Sequence, residues 1–170
     1  MSSKLLHVGM YGGGGVGKTA ITLQFVKGEF TEGCIPTIED SFEKVISLNG
    51  ESVKLEIIDT AGQDDFKEMR FNYMSKVDGF IFVFSVIEPI SLNQVDEIHS
   101  DALKAKGTKS VPCVIAANKA DLEKTVNMEE ADELSKKLGC QVFETSAKTS
   151  LNIQKIYEEL VIIVSDSGTY

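Results

Sequence analysis

The apolar residues of this chain recur with alternating strand-like and helix-like spacing, which predicts strands and helices in alternation along its length. The segment 80–86, FIFVFSV, is almost continuously apolar, as expected of a parallel strand buried on both faces. A polar stretch at 60–76 is predicted to hold a loop and a short helix. Further strands are predicted at 5–11, 40–48, 52–59, 111–117 and 141–144, and helices at 18–26, 92–102, 128–138 and 153–164.

Asn49-Gly50 lies between two segments of alternating apolar residues and is the clearest turn signal in the chain. Both residues tolerate the positive φ of a type I′ turn, so 40–48 and 52–59 are predicted to form an antiparallel hairpin. The fold class is therefore α/β, a six-stranded and mostly parallel sheet with one antiparallel edge strand, flanked by about five helices.

Composition and charge narrow the class of protein. The 170 residues are 42% hydrophobic and 25% charged, which suits a single domain over 1–170 with its core at 4–164. The net charge of −9 disfavours nucleic-acid binding, because phosphates would be repelled. No apolar run is long enough to cross a bilayer, and no signal peptide is indicated. Cys34, Cys113 and Cys140 are far apart in sequence, which argues against a zinc site or disulfide framework and favours a reducing, intracellular compartment.

A glycine-rich segment at 12–19, GGGGVGKT, follows the first predicted strand and opens the first predicted helix. It matches the pattern GxxxxGK[ST], in which glycines let backbone N–H groups face phosphates and the helix N-terminus favours anions. Lys18 would reach the β- and γ-phosphates of a nucleotide, and the Thr19 hydroxyl would bind Mg²⁺. This motif alone does not separate ATP from GTP.

The segment 55–63, LEIIDTAGQ, is an apolar strand that ends in an acid. Asp59 would hold Mg²⁺ through water, the Gly62 N–H would contact a γ-phosphate, and Gln63 would orient an attacking water. An aspartate after a strand is also common in ordinary turns, so this motif gains its weight from the first one.

Two short polar segments after later strands predict recognition of the base. In 118–121, NKAD, the Asp121 carboxylate would accept from N1–H and the N2 amino group of guanine, which adenine does not offer together. In 144–148, ETSAK, the backbone would close over the guanine O6. Taken alone, the first is an ordinary polar loop and the second an ordinary helix cap.

The segments GGGGVGKT, PTIEDSF, DTAGQ, NKAD and ETSAK, in this order, make the chain resemble the Ras family of small GTPases over about 4–164. The resemblance implies a P-loop NTPase fold that binds GTP or GDP with Mg²⁺ and hydrolyses GTP slowly, with Lys18, Thr37, Gly62 and Gln63 as catalytic residues. The implied nucleotide-binding residues are Gly14, Gly15, Val16, Gly17, Lys18, Thr19, Ala20, Phe30, Thr37, Gly62, Asn118, Lys119, Asp121, Ser146, Ala147 and Lys148. The implied metal ligands are Thr19, Thr37 and Asp59.

The resemblance also implies partners. Glu39 and Asp40 would meet basic residues of a Ras-binding domain, which would add a strand to the sheet edge. The plainer alternative is an acidic edge strand that resists aggregation. A guanine-nucleotide exchange factor and a GTPase-activating protein are implied as further partners, and the chain is expected to be a monomer. The activating protein would supply an arginine close to Gly14. Gln63 favours Ras over Rap, which carries threonine there. The implied effector-binding residues are Ile35, Pro36, Thr37, Ile38, Glu39, Asp40, Ser41 and Phe42.

Two features depart from the family pattern. Cys34 stands where the family usually has a tyrosine whose hydroxyl covers the γ-phosphate. The resemblance therefore predicts that the adjoining segment 35–42, which matches the first switch of the family, is less firmly anchored. The sequence given ends SDSGTY, without a prenylated cysteine box or basic cluster. We therefore expect a cytoplasmic protein, which would lie on the cytoplasmic face of a membrane if a lipidated C-terminal tail is missing from this sequence.

Two alternative functions stay open at this point. A P-loop ATPase or nucleotide kinase would bind ATP and lack a base-reading motif, and 118–121 argues against that class. A binding module would hold GTP and effectors but hardly hydrolyse the nucleotide, because Cys34 replaces the tyrosine.

Overall fold

A computed structural model describes residues 4–30, 39–60 and 67–166, and every structural statement below concerns these ranges. Among them, no helix has both the length and the apolar character needed to cross a membrane. The strands are β1 (Lys4–Gly12), β2 (Glu39–Leu48), β3 (Glu51–Thr60), β4 (Gly79–Ser85), β5 (Cys113–Asn118) and β6 (Val142–Glu144). The helices are α1 (Lys18–Lys27), α2 (Lys67–Met74), α3 (Pro89–Lys106), α4 (Met128–Leu138) and α5 (Ile153–Asp166).

The six strands form one sheet in the order β2-β3-β1-β4-β5-β6. Every neighbouring pair is parallel except β2 and β3, which are antiparallel and are joined by the predicted turn. In that turn Asn49 has φ 52° and Gly50 has φ 81°, the positive values that a type I′ turn requires. The predicted α/β fold, with its antiparallel edge strand and its five helices, is confirmed over the part of the chain described.

Two apolar layers cover the sheet. On one face α1 and α5 pack together, and Phe25 of α1 stacks on Tyr157 of α5 with ring centroids 3.8 Å apart. On the other face Leu92 and Val95 of α3 pack with residues of α2 and α4. All residues of β4 are buried, which confirms the prediction from its continuous apolar sequence.

The parallel strands bring their carboxyl ends to one edge of the sheet, where ligands bind in open α/β folds. The glycine-rich segment, NKAD and ETSAK each begin with the last residue of a strand, which is β1, β5 and β6 respectively. This shared edge explains how motifs that are far apart in sequence can form one site.

The cysteines are the main difference from what the sequence suggested. Cys113 is the first residue of β5 and Cys140 lies two residues before β6, the neighbouring strand. Both are free thiols, but they are neighbours in space because these strands pair in parallel. Cys34 lies outside the described residues.

Candidate functional site

The loop between β1 and α1 has the backbone that its glycines allow. Gly15 has φ 78° and Gly17 has φ 100°, both in the left-handed region that favours glycine. Gly17 is the N-cap residue of α1, and it makes no side-chain hydrogen bond to the first N–H groups of the helix. Backbone donors at a helix N-terminus suit an anion such as a phosphate.

Lys18 curls back over this loop. Its ammonium donates to the carbonyl oxygens of Gly12 at 3.1 Å and Gly13 at 3.0 Å, and the residue is 7% exposed. A buried cation held by the loop itself is positioned to meet a phosphate bound in the same loop.

The space around the glycines differs along the loop. A Cβ at Gly13 would collide with the Gln94 side chain of α3, and one at Gly17 would collide with the Asn118 side chain. A Cβ at Gly14 or Gly15 would meet nothing within 4 Å, so the loop is open to an approaching group at these two positions.

Asn118, at the end of β5, joins the glycine loop to the loop after β6. Its Nδ2 donates to the Val16 carbonyl oxygen at 2.9 Å, and its Oδ1 accepts from the Thr145 hydroxyl at 3.1 Å. The residue is 1% exposed, so these hydrogen bonds are shielded from water. Lys119, with φ 66°, adds a second link by donating to the Gly15 carbonyl oxygen at 2.8 Å.

Asp121 is held by the loop after β6. The buried Ser146 hydroxyl donates to Asp121 Oδ1 at 2.7 Å and also accepts from the Thr149 N–H at 3.1 Å. The Ala147 carbonyl oxygen accepts from Gln24 Nε2 of α1 at 2.6 Å. An exposed carboxylate oriented in this way can accept hydrogen bonds from a ligand with paired N–H donors.

Several predicted residues are thus brought together at one end of the sheet, and others lie outside this group. Phe30 is 38% exposed just after α1, Lys148 is exposed, and Ser41 and Phe42 lie on β2 as exposed and half-buried residues. The backbones of Glu39, Asp40 and Asp59 are in β2 and β3, with Asp40 opposite Asp59, but their side chains are not described. The segments outside the described residues contain Ile35, Pro36, Thr37, Ile38, Gly62 and Gln63.

Three site residues were not found from the sequence. Gln24 and Gln94 contact the loops from their helices. Thr145 was not predicted as a site residue, although the adjacent Ser146 was. No motif marks a glutamine that points at a loop from a distant helix, whereas the threonine lies inside ETSAK and could have been included.

The fold and the loop around Lys18 define a P-loop nucleoside triphosphatase, and the comparisons with known proteins narrow this class. The Ras family model matches residues 6–166. "Ras-like protein RAS2" of Hydra vulgaris is 41% identical over 92% of this chain and 83% of its own length. "Ras-like protein rasS" of Dictyostelium discoideum is 42% identical over 89% of this chain and 79% of its own. "Ras-related protein ralB-A" of Xenopus laevis is 43% identical over 94% of this chain and 80% of its own.

The chain belongs to the Ras family. It is therefore a small GTPase, an enzyme that binds GTP and GDP and hydrolyses GTP. The family relationship implies exchange factors, activating proteins and effectors as partners in general. The predicted resemblance to the family is confirmed, and the P-loop ATPase alternative is set aside. Because the relatives include both Ras-like and Ral proteins, they do not select one subgroup.

Proposed function

We propose that this chain is a Ras-type switch that binds GTP or GDP with Mg²⁺, hydrolyses GTP slowly, and meets effectors through residues 35–42. The observation that carries the proposal is the pair of links from the residues after β5 to the glycine loop, Asn118 to Val16 and Lys119 to Gly15. These contacts join a loop suited to a guanine base to a loop suited to phosphates.

Asp121 is the proposed reader of the base. Its carboxylate would accept from N1–H and the N2 amino group of guanine, while the Ser146 hydroxyl holds Oδ1 in place at 2.7 Å. A site built around a carboxylate rejects adenine, since adenine leaves that acceptor unpaired. Ala147 and Lys148 would complete the base side, and Phe30 would pack on the edge of the ring.

The phosphates would be held by the glycine loop, through Gly14, Gly15, Val16, Gly17 and the first turn of α1. Lys18 would exchange its contacts with the Gly12 and Gly13 carbonyl oxygens for phosphate oxygens. Thr19 and Ala20 lie in that first turn and would add a hydroxyl and an N–H.

The oxygen donors available at this end of the sheet suit Mg²⁺, a hard cation that prefers oxygen ligands. We assign Thr19, Thr37 and Asp59 to it. Thr19 is in the first turn of α1, and Asp59 is aligned with Met10 on β1, close in the sheet to where the glycine loop begins. The ion would neutralise charge on the phosphates.

We assign hydrolysis to residues 62 and 63 because they belong to the DTAGQ motif. Gln63 would orient the attacking water, and the Gly62 and Thr37 N–H groups would hold the γ-phosphate. The open space beside Gly14 fits an arginine offered by an activating protein. Since catalysis would be positioning and electrostatics, the intrinsic rate should be low.

The effector surface is assigned to the free edge of β2, the outermost strand of the sheet. An edge strand presents unpaired backbone groups, so a partner can add a strand there. Glu39 and Asp40 would select basic partners with a Ras-binding domain. We further propose that 1–170 is one monomeric domain that does not bind nucleic acid, in keeping with its net charge of −9.

The proposal is tested by nucleotide binding followed by single-turnover hydrolysis. Fluorescent GDP should bind with Mg²⁺ and dissociate faster after chelation by EDTA, and fluorescent ADP should not compete. GTP-loaded protein should release phosphate slowly, and a Ras-type activating protein should accelerate that release. Tight GTP binding with no hydrolysis under either condition would instead support a binding module.

A substitution isolates the base assignment. Asp121→Asn should shift preference from guanine to xanthine nucleotides, because the amide can donate to the xanthine O2. Asp132→Asn, at an exposed position on α4, is the matched control and should keep guanine preference. A D121N protein that stays fully selective for GTP would refute the role of this carboxylate.

A further inference from the structure

Cys113 and Cys140 lie side by side on neighbouring strands. β5 and β6 pair in parallel with Ile115 opposite Val142, and extending that register by two residues places Cys113 opposite Cys140. The Ile115 N–H donates to the Gln141 carbonyl oxygen at 2.9 Å, so the pairing continues beyond the formal start of β6. Paired strands lie about 4.8 Å apart, within the range of about 4.4–6.8 Å between Cα atoms that a disulfide spans.

The two thiols differ in access. Cys113 is 3% exposed, whereas Cys140 is half-buried at the rim of the same apolar cluster. An oxidant from solvent would therefore reach Cys140 first, and Cys113 would be the residue that resolves the product.

The hydrogen bond between the thiols sharpens this difference. It lowers the pKa of Cys140, although burial acts in the opposite direction. The same hydrogen bond and burial raise the pKa of Cys113, which keeps its proton and stabilises the neighbouring thiolate. A thiolate is the reactive form of cysteine, so the more accessible sulfur is also the more nucleophilic one.

We propose that Cys113 and Cys140 form a reversible disulfide, a redox modification site on the strands that lead to the base-reading loops. With hydrogen peroxide as oxidant, the Cys140 thiolate attacks one peroxide oxygen, the O–O bond breaks, and Cys140 sulfenic acid and water form. The Cys113 sulfur then attacks the Cys140 sulfur, the S–O bond breaks, and a second water leaves with the Cys113 proton. Two thiols lose two electrons and two protons, and one peroxide becomes two waters; a dithiol reductant reverses the reaction by exchange.

The disulfide would connect β5 and β6 at their amino ends, away from the nucleotide. The opposite ends of these strands lead to Asn118 and Thr145, which are hydrogen-bonded to each other. Oxidation would therefore leave the pocket accessible while restraining the strands that carry the loops on its base side. Since the bridge also constrains the unfolded chain, the oxidised protein should unfold several degrees higher than the reduced one.

The test uses the full chain with Cys34→Ser, which leaves only the two thiols in question. After treatment with hydrogen peroxide, the denatured protein should have lost both thiols, its intact mass should have fallen by two hydrogen atoms, and dithiothreitol should restore both values. The matched variant C34S/C140S should keep the Cys113 thiol under the same exposure, because its accessible partner is absent.

Retention of both thiols, a mass gain of oxygen atoms alone, or a cross-link between two molecules would overturn the proposal. A disulfide that forms but leaves the unfolding temperature unchanged would overturn its stapling role. Peptide mapping of oxidised wild-type protein for a Cys113–Cys140 cross-link keeps the proposal falsifiable if C34S fails to fold.

Discussion

Asn118 and Val16 are 102 positions apart in sequence, yet Asn118 Nδ2 donates to the Val16 carbonyl oxygen at 2.9 Å. The same amide accepts from Thr145, so one buried side chain holds three loops at the end of the sheet. The loops proposed to bind the base and the phosphates are therefore connected through protein atoms alone.

Replacing Asn118 with Ala should weaken both stability and nucleotide binding. The substitution leaves the Val16 carbonyl and the Thr145 hydroxyl without this partner in a buried place, which should lower the unfolding free energy by about 1–3 kcal/mol. Urea denaturation and titration with fluorescent GDP measure the two effects. Asn93→Ala, at an exposed position on α3, is the control and should change neither. Full GDP affinity in N118A would contradict the linking role.

Phe25 and Phe30 should separate stability from binding. Phe25 is 6% exposed and stacks on Tyr157, so Phe25→Ala should cost about 3–5 kcal/mol of unfolding free energy. Phe30 is 38% exposed, so Phe30→Ala should change stability little but speed GDP release if the ring packs on guanine as proposed. Denaturation and nucleotide-release rates on both variants test this, and an equal loss of stability would contradict it.

His99 should make the protein less stable in mild acid. It is 7% exposed on α3 with its ring edge-on to Phe82, and burial lowers its pKa, with Lys137 acting in the same direction and Asp96 opposing them. The unfolded chain, with a histidine pKa of 6.5, therefore binds more protons than the folded protein below that pH. The unfolding free energy should fall as pH drops through 6.5 toward the lowered folded pKa.

The measurement for His99 is denaturant unfolding at about pH 7.5 and about pH 5.5, within the range where histidine titrates. His99→Gln, which has no proton to gain, should lose less stability on acidification than the wild type. The two proteins differ only at position 99, so the difference between their pH dependences reports on this residue. Equal pH dependence of the two proteins would refute the assignment.

Gln63→Leu should leave GTP binding intact and stop hydrolysis, because leucine cannot orient a water for attack. Single-turnover phosphate release from GTP-loaded protein is the measurement, with the wild type and the exposed Gln154→Leu as references. Unchanged turnover in Q63L would remove this residue from the proposed mechanism.

The sequence predicted best where one local property decides the structure. The sign of φ at Asn49 and Gly50 follows from their side chains, and the burial of β4 follows from its continuous apolar residues. The glycine loop could be recognised because the phosphate-binding motif requires a particular backbone conformation. The glycines that allow this conformation all lie within one short segment of the sequence.

The sequence did not predict the contacts that depend on the register of paired strands or on how a helix packs against the sheet. The juxtaposition of Cys113 and Cys140 follows from the pairing of β5 with β6, which neither segment encodes alone. The approach of Gln24 to the Ala147 carbonyl and of Gln94 to Gly13 depends on how α1 and α3 settle on the sheet. The motif predicted Lys18 as a site residue, but it did not predict the hydrogen bonds from Lys18 to the carbonyl oxygens of the loop.

The sheet order gives the molecule two unequal margins. β6 offers three residues at one margin, whereas β2 offers ten at the other, with Ser41, Glu43 and Val45 exposed along it. A strand of that length is a template for a second copy of the chain, and like charge between molecules with net charge −9 opposes such stacking. Concentrated salt screens this repulsion, so we expect stored protein to begin to precipitate through contacts between the β2 strands of different molecules.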